Sequence, residues 1–240
     1  MGSAIGHTLA NAGRDVSGYE KTPKQKESLP FPLVVSPLEE LSEEDILLLA
    51  IKPQDLPLLP EEVRHFSGKL VVSILAGVPL KELKSTFPNT PSVGMMPNLA
   101  VRYGKGVVSF TEDLALAPLK PMIEELFSPL GYLHWYPEKL FAAVTALAGS
   151  GPGFLFTIVE ALTDGAIAMG LPAKEGTLLI REMIEGVLTT LAHSPKSTSE
   201  LKQEVTSPGG STIAGIRVLE EKGLRSALIE ALLATQAHLS

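Results

Sequence analysis

The densest run of groups able to do chemistry lies near the C-terminus, in VTSPGGSTIAGIRVLEEKG, Val205 to Gly223. Pro208-Gly209-Gly210 predicts a turn free to take positive φ. Ser211 or Thr212 predicts the N-cap of a helix carrying Ile213, Ile216 and Leu219 on one face. Such a turn aims several backbone N–H groups at one point. With the helix dipole behind them and the hydroxyls of Ser207, Ser211 and Thr212 beside them, these groups suit a carboxylate or a phosphate. The same residues also suit a glycine-rich turn between helices, capped by its own hydroxyl. The local sequence leaves both readings open.

Further candidates stand at the ends of predicted strands. AIKP (Ala50, Ile51, Lys52, Pro53), SILAG (with Ala76 and Gly77) and MMPN (with Met96, Pro97 and Asn98) each close an apolar run with small or turn-forming residues. In an open α/β sheet, ligands bind beyond the carboxyl ends of the strands, so the three together point to a dinucleotide. The N-terminus fits that reading. Gly2 and Ser3 open a short apolar helix, and Asp15 to Tyr19 reads as a strand ending at Glu20, which is the second half of a nucleotide-binding βαβ unit. Gly2 then takes the place of the third glycine of G-x-G-x-x-G, and the first strand and first two glycines would lie ahead of Met1. Glu20 could accept from a ribose 2′-OH, as NADH requires. Lys21, Thr22 and Lys24 could hold the 2′-phosphate of NADPH, which three donors against one acid favour.

The elements that must position these groups follow from hydrophobic period. DILLLAI (45–51), KLVVSIL (69–75), Ser92–Met95, GVVSFT (106–111) and Tyr132–Tyr136 read as strands, and 54–66, 80–86 and 119–130 as the helices between them. Near-continuous apolar runs suit strands covered on both faces. Residues 1–137 therefore read as a Rossmann-like, doubly wound α/β domain. From Glu138 to the end no strand pattern remains. Pro152, Gly170 and Pro172 punctuate two long helices, the second running to about His193, and Gly223 separates two more, 212–222 and 224–239. Residues 138–240 read as an all-helical domain whose helices are apolar on more than one face, which implies a partner subunit.

Composition narrows the function. The 240 residues are 45% hydrophobic with a net charge of −7 and no cysteine. The absence of a basic patch argues against nucleic acid, and the absence of thiols rules out a thiolate nucleophile or cysteine metal site. The five histidines are scattered, so no metal site is expected. Ala142 to Leu171 is apolar enough to raise a membrane span, but Glu160, Asp164, five glycines and Pro152 interrupt it, so no membrane partner is expected. The start of the chain lacks a signal-peptide pattern, which points to the cytoplasm.

TALAGSGPGFLF (145–156), EALTDGAIAMGLP (160–172) and LKQEVTSPGGSTIAGIRVLEEKGLRSAL (201–228) closely resemble the C-terminal domain of pyrroline-5-carboxylate reductases, with AIKP, SILAG and MMPN in the same order as in that family. The resemblance spans essentially the whole chain. It implies reduction of Δ1-pyrroline-5-carboxylate to L-proline with NADPH or NADH, helical domains that interlock as dimers and in many members as decamers, and a substrate lying between the two domains. It implies that Ser207, Gly209, Gly210, Ser211 and Thr212 hold the substrate carboxylate, with Thr212 also able to meet the imine nitrogen. Glu138 is implied near the substrate, where it would favour the protonated imine. The chain departs from the family pattern at Gly94, where arginine is common, at Leu99-Ala100, at Ala142 and at Pro37. These departures fall mainly on the cofactor side, and leave open a catalytically weak paralogue that still dimerises and binds ligand.

Overall fold

The computed structural model describes residues 1–19, 31–32 and 45–239. Glu20, Lys21, Thr22, Lys24 and Pro37 lie outside the described residues. The chain divides into two compact units, one of Met1–Ser150 with the residues from Thr235 onward, the other of Gly151–Ala234.

The first unit is built on a sheet of β1 (Ile46–Leu49), β2 (Leu70–Ser73), β3 (Ser92–Pro97), β4 (Gly106–Thr111) and β5 (Gly131–Tyr136), ordered as in the sequence. Strands β1, β2 and β3 run parallel, β4 is antiparallel to β3, and β5 is parallel to β4. The helices are α1 (Gly2–Asn11), α2 (Glu61–Arg64), α3 (Leu80–Thr86), α4 (Lys120–Phe127) and α5 (Phe141–Val144), followed by a π-helical turn over Thr145–Ser150.

Alternation along the strands gives the sheet two apolar faces. Leu70 and Val72 join Ile5 of α1 and Ile123 and Phe127 of α4 in one core, while Val71 joins Leu56, Leu83 and Phe87 in the other. Both faces are covered, as the apolar runs predict. The expected strand Asp15–Tyr19 does not form among the described residues, where the Gly18 N–H donates to the Pro32 carbonyl at 2.9 Å. The sheet is mixed, because the short connection Leu99–Tyr103 brings β4 back alongside β3.

The second unit holds α6 (Gly151–Ala168), α7 (Ala173–His193), α8 (Thr198–Glu204), α9 (Ser211–Glu221) and, as far as Ala234, α10 (Leu224–Leu239). Gly170, at φ 94°, ends the α6 segment and Pro172 caps α7. The two helices approach closely at Gly176, where a β-carbon would sit 2.9 Å from that of Ala166. Helix α8 is additional to the predicted set. It begins with a capping box: the Ser197 hydroxyl accepts from the Glu200 N–H, and the Glu200 carboxylate accepts from the Ser197 N–H at 2.8 Å. The continuous helical stretch Glu138–Ala168 is long and apolar enough to cross a membrane by length and composition. Many of its large apolar side chains, Leu155 and Phe156 among them, stand exposed on the single chain.

Candidate active site

Because β1, β2 and β3 are parallel neighbours, their carboxyl ends open on one edge of the sheet, bringing Ala50–Pro53, Ala76-Gly77 and Met96–Asn98 to the same side. The N-terminus of α1 joins them. A β-carbon on Gly2 would lie 2.6 Å from the Ala50 β-carbon, so only glycine lets the helix start this close to the end of β1. Ser3 follows it, exposed, in the first turn, whose N–H groups have no intrahelical partner. The Thr8 hydroxyl ties the same helix to the loop after β3 by donating to the Val101 carbonyl at 2.9 Å.

Each strand end has its own local device. Lys52 precedes Pro53, which opens a 3₁₀ turn and directs the chain away from the edge. Gly77, at φ 76°, makes a turn that a side chain would strain. Asn98 is buried, and its carbonyl oxygen accepts from the N–H groups of Ala100 at 3.2 Å and Val107 at 3.3 Å. That half of the amide is spent on shaping the loop.

Strand β3 changes partners midway: Ser92–Gly94 pairs with β2 and Met95–Pro97 with β4. Gly94 sits at the changeover. Its N–H donates to the Thr111 hydroxyl at 2.9 Å, and a β-carbon there would lie 3.0 Å from the Thr111 methyl and 3.7 Å from the Phe141 ring. Thr111 thus fills the space beside the glycine. The π-helical turn continues this cover, since a β-carbon on Gly149 would lie 3.8 Å from the Met96 sulfur.

Glu138 begins the segment after β5. Its carboxylate accepts from the Leu80 N–H at 2.6 Å, at the start of α3. Sequence reasoning had no signal for that contact, which spans 58 residues.

In the second unit, Gly209 takes φ 70° and the Gly210 N–H donates to the Ser207 carbonyl at 3.0 Å, closing the turn. The N-cap of α9 is Gly210, so the expected capping by Ser211 or Thr212 is corrected: they are the first and second helical residues, and neither hydroxyl has a partner among the described residues. The reason is the turn itself. The Ser207 hydroxyl lies over Gly210, 2.3 Å from where a β-carbon would be, leaving no room for a capping side chain there. The first helical bond of α9 runs from the Ala214 N–H to the Gly210 carbonyl at 3.4 Å, so the N–H groups of Ser211, Thr212 and Ile213 remain unpaired within the helix. Three amides and two hydroxyls at a helix N-terminus can hold an anion.

Comparison with known proteins gives the family. Residues 138–240 match the model of the pyrroline-5-carboxylate reductase dimerisation domain, and residues 1–77 match that of the coenzyme F420-dependent NADP oxidoreductases. The chain is 38% identical over 196 residues to the pyrroline-5-carboxylate reductase of Methanosarcina acetivorans, covering 80% of this chain and 72% of that protein. It is 36% identical over 189 residues to the Synechocystis enzyme, covering 78% of this chain and 71% of that one. The chain belongs to the pyrroline-5-carboxylate reductase family. The pyrroline carboxylate reductase of Plasmodium falciparum, solved with NADP bound, superposes at a TM-score of 0.89 with 26% identity, covering 99% of this chain and 94% of that one.

As a reductase of this family, the chain pairs a Rossmann-like cofactor fold with a helical dimerisation region, and it acts as a homo-oligomer on a small molecule. The long apolar stretch from Glu138 falls within that dimerisation region.

Proposed function

We propose that the chain completes proline synthesis by passing hydride from the nicotinamide of NADPH to the C=N carbon of Δ1-pyrroline-5-carboxylate. The protonated imine nitrogen keeps its proton and becomes the ring amine of L-proline. The cofactor supplies the hydride, so the protein has to bind, orient and neutralise charge, with no nucleophile of its own. The observation that carries this reading is the Ser207–Thr212 turn. In a segment matching the family's dimerisation domain, it leaves three backbone amides and the Ser211 and Thr212 hydroxyls without partners among the described residues at the start of α9.

Ser207, Gly209, Gly210, Ser211 and Thr212 take the substrate carboxylate, and the Thr212 hydroxyl also reaches the imine nitrogen. Gly2 and Ser3, with the first-turn amides of α1, take the cofactor pyrophosphate. Ala50, Ile51, Lys52, Pro53, Ala76, Gly77, Met96, Pro97 and Asn98 line the rest of the dinucleotide. Lys21 binds the 2′-phosphate, and Glu20 the ribose edge. Residues 1–137 form the cofactor domain and 138–240 the substrate-binding and dimerisation domain. The dimers assemble into decamers, and the enzyme works in the cytoplasm.

The deciding experiment follows nicotinamide oxidation with pyrroline-5-carboxylate, run in parallel with NADPH and NADH. Turnover with kcat/KM higher for NADPH supports the proposal. No turnover with either cofactor would leave a dimeric ligand-binding paralogue, and a higher kcat/KM with NADH would assign the cofactor preference to Glu20.

A further inference from the structure

We propose that Glu138 is a positioning residue: its carboxylate ties the loop after β2 to the segment lying over β3, and so fixes two walls of the cofactor site against each other. The proposal rests on the reading that the strand ends hold the dinucleotide. It gives Glu138 a different task from the direct substrate contact that resemblance alone implies.

Helix α3 cannot cap itself. Its N-cap is Pro79, which has no side-chain acceptor, and its first helical bonds run from Glu82 and Leu83 to the Pro79 carbonyl. The Leu80 N–H therefore needs an outside partner, and Glu138 provides a charged one at 2.6 Å. Leu80 is a fixed point, with its side chain buried beside Leu75, Leu83 and Phe87.

The loop that ends at Leu80 is the one carrying Ala76 and Gly77. At its other end the Ile74 N–H donates to the Leu49 carbonyl at 3.1 Å, and the Leu75 N–H to the Ser73 hydroxyl at 3.3 Å. Glu138 closes the open end of this loop. From Glu138 the chain runs directly into α5, where Phe141 lies beside Gly94, and on to the π-helical turn, where Gly149 lies beside Met96. One side chain thus sets the distance between Ala76-Gly77 on one strand end and the segment covering Met96 on the next.

A carboxylate acting on the imine needs its charge, whereas a carboxylate acting through the Leu80 N–H needs only an acceptor oxygen, which glutamine also has. Kinetics of Glu138→Ala and Glu138→Gln separate the two. In Glu138→Ala we expect KM for NADPH to rise about tenfold, as for a lost charge-assisted hydrogen bond, with KM for pyrroline-5-carboxylate within about twofold. Glu138→Gln should recover most of the NADPH affinity, and the pH profile of kcat should stay in place in both variants. The proposal is overturned if Glu138→Ala leaves KM for NADPH unchanged. It is also overturned if Glu138→Gln is as impaired as Glu138→Ala with a shifted pH profile, which would make Glu138 a charge acting on the substrate. Ala76→Asp, at an exposed position on the same loop, tests the underlying site. A carboxylate there should weaken NADPH binding; if it does not, the loop is no cofactor wall and both readings fall. If it does while Glu138→Ala has no effect, only the Glu138 proposal falls.

Discussion

The two units solve the burial problem in opposite ways. In the first, short apolar runs lie between layers of helix, and Val71, Val72, Val93, Met95 and Phe110 are all fully buried within one unit. In the second, long helices carry apolar residues around much of their circumference, and Leu155 is 63%, Phe156 61% and Leu188 60% exposed on the single chain. A sheet with helices on both faces makes an inside of its own. A handful of helices of this composition does not, and these helices lie in the region that matches the family's dimerisation domain.

The largest test of this contrast places a charge on each kind of exposed leucine. Leu188→Asp should leave an unpaired carboxylate in the subunit interface and yield monomer or insoluble protein by light scattering, a loss of several kcal/mol of assembly energy. Leu114→Asp, at a leucine 94% exposed on the first unit, should leave both mass and melting temperature unchanged. A soluble dimer with Leu188→Asp would count against the comparison.

Next in size is Thr212→Val, which keeps the side-chain shape and removes the hydroxyl. A lost hydrogen bond to a charged group costs about 1.5–3 kcal/mol, so kcat/KM for pyrroline-5-carboxylate should fall about ten- to a hundredfold. Since Gly210 rather than Thr212 caps α9, the melting temperature should hold. A lowered melting temperature with normal kinetics would reverse that assignment.

A smaller effect is expected on the cofactor side. Gly2→Ala forces a β-carbon to within 2.6 Å of Ala50, so the start of α1 must withdraw from the end of β1. KM for NADPH should rise severalfold while KM for the imino acid is unchanged. An unchanged NADPH KM would remove Gly2 from the site.

The smallest concerns Asp113, held below the ordinary carboxylate value of 3.8 by its hydrogen bond to Lys84 and then by the Ala115 N–H. A folded-state pKa below the unfolded one contributes stability that is present at neutral pH and is lost as pH falls through the folded value. Asp113→Asn should therefore lower the melting temperature slightly at pH 7, and the gap from the unsubstituted protein should close below about pH 3.8. A gap that persists in acid would show the charge to be irrelevant.

Much of the fold was legible in order along the chain. All five strands of the sheet lie where LLLAI, LVVSI and their successors predict, because a run of apolar β-formers needs burial on both sides wherever it occurs. The turn at Pro208-Gly209-Gly210 and the stops at Gly170 and Gly223 were readable because positive φ is a property of the residue itself. Helix α8 has its own local signal: Ser197 followed by Glu200 is a capping-box spacing. Asp15–Tyr19 has the composition of a strand, yet strand formation needs a neighbour to pair with, and composition does not supply one.

By itself the sequence determined the order of elements, the apolar periods that make a sheet domain and a helical one, and the glycine-rich turn before α9. All of these rest on preferences carried by short segments. Only the tertiary structure decided that β4 runs against β3, that the hydroxyl of Thr111 receives the N–H of Gly94, that Gly210 caps α9, and that the carboxylate of Glu138 is held by Leu80. Hydrogen-bond partners far apart in the chain are chosen by which groups the packed core leaves facing each other.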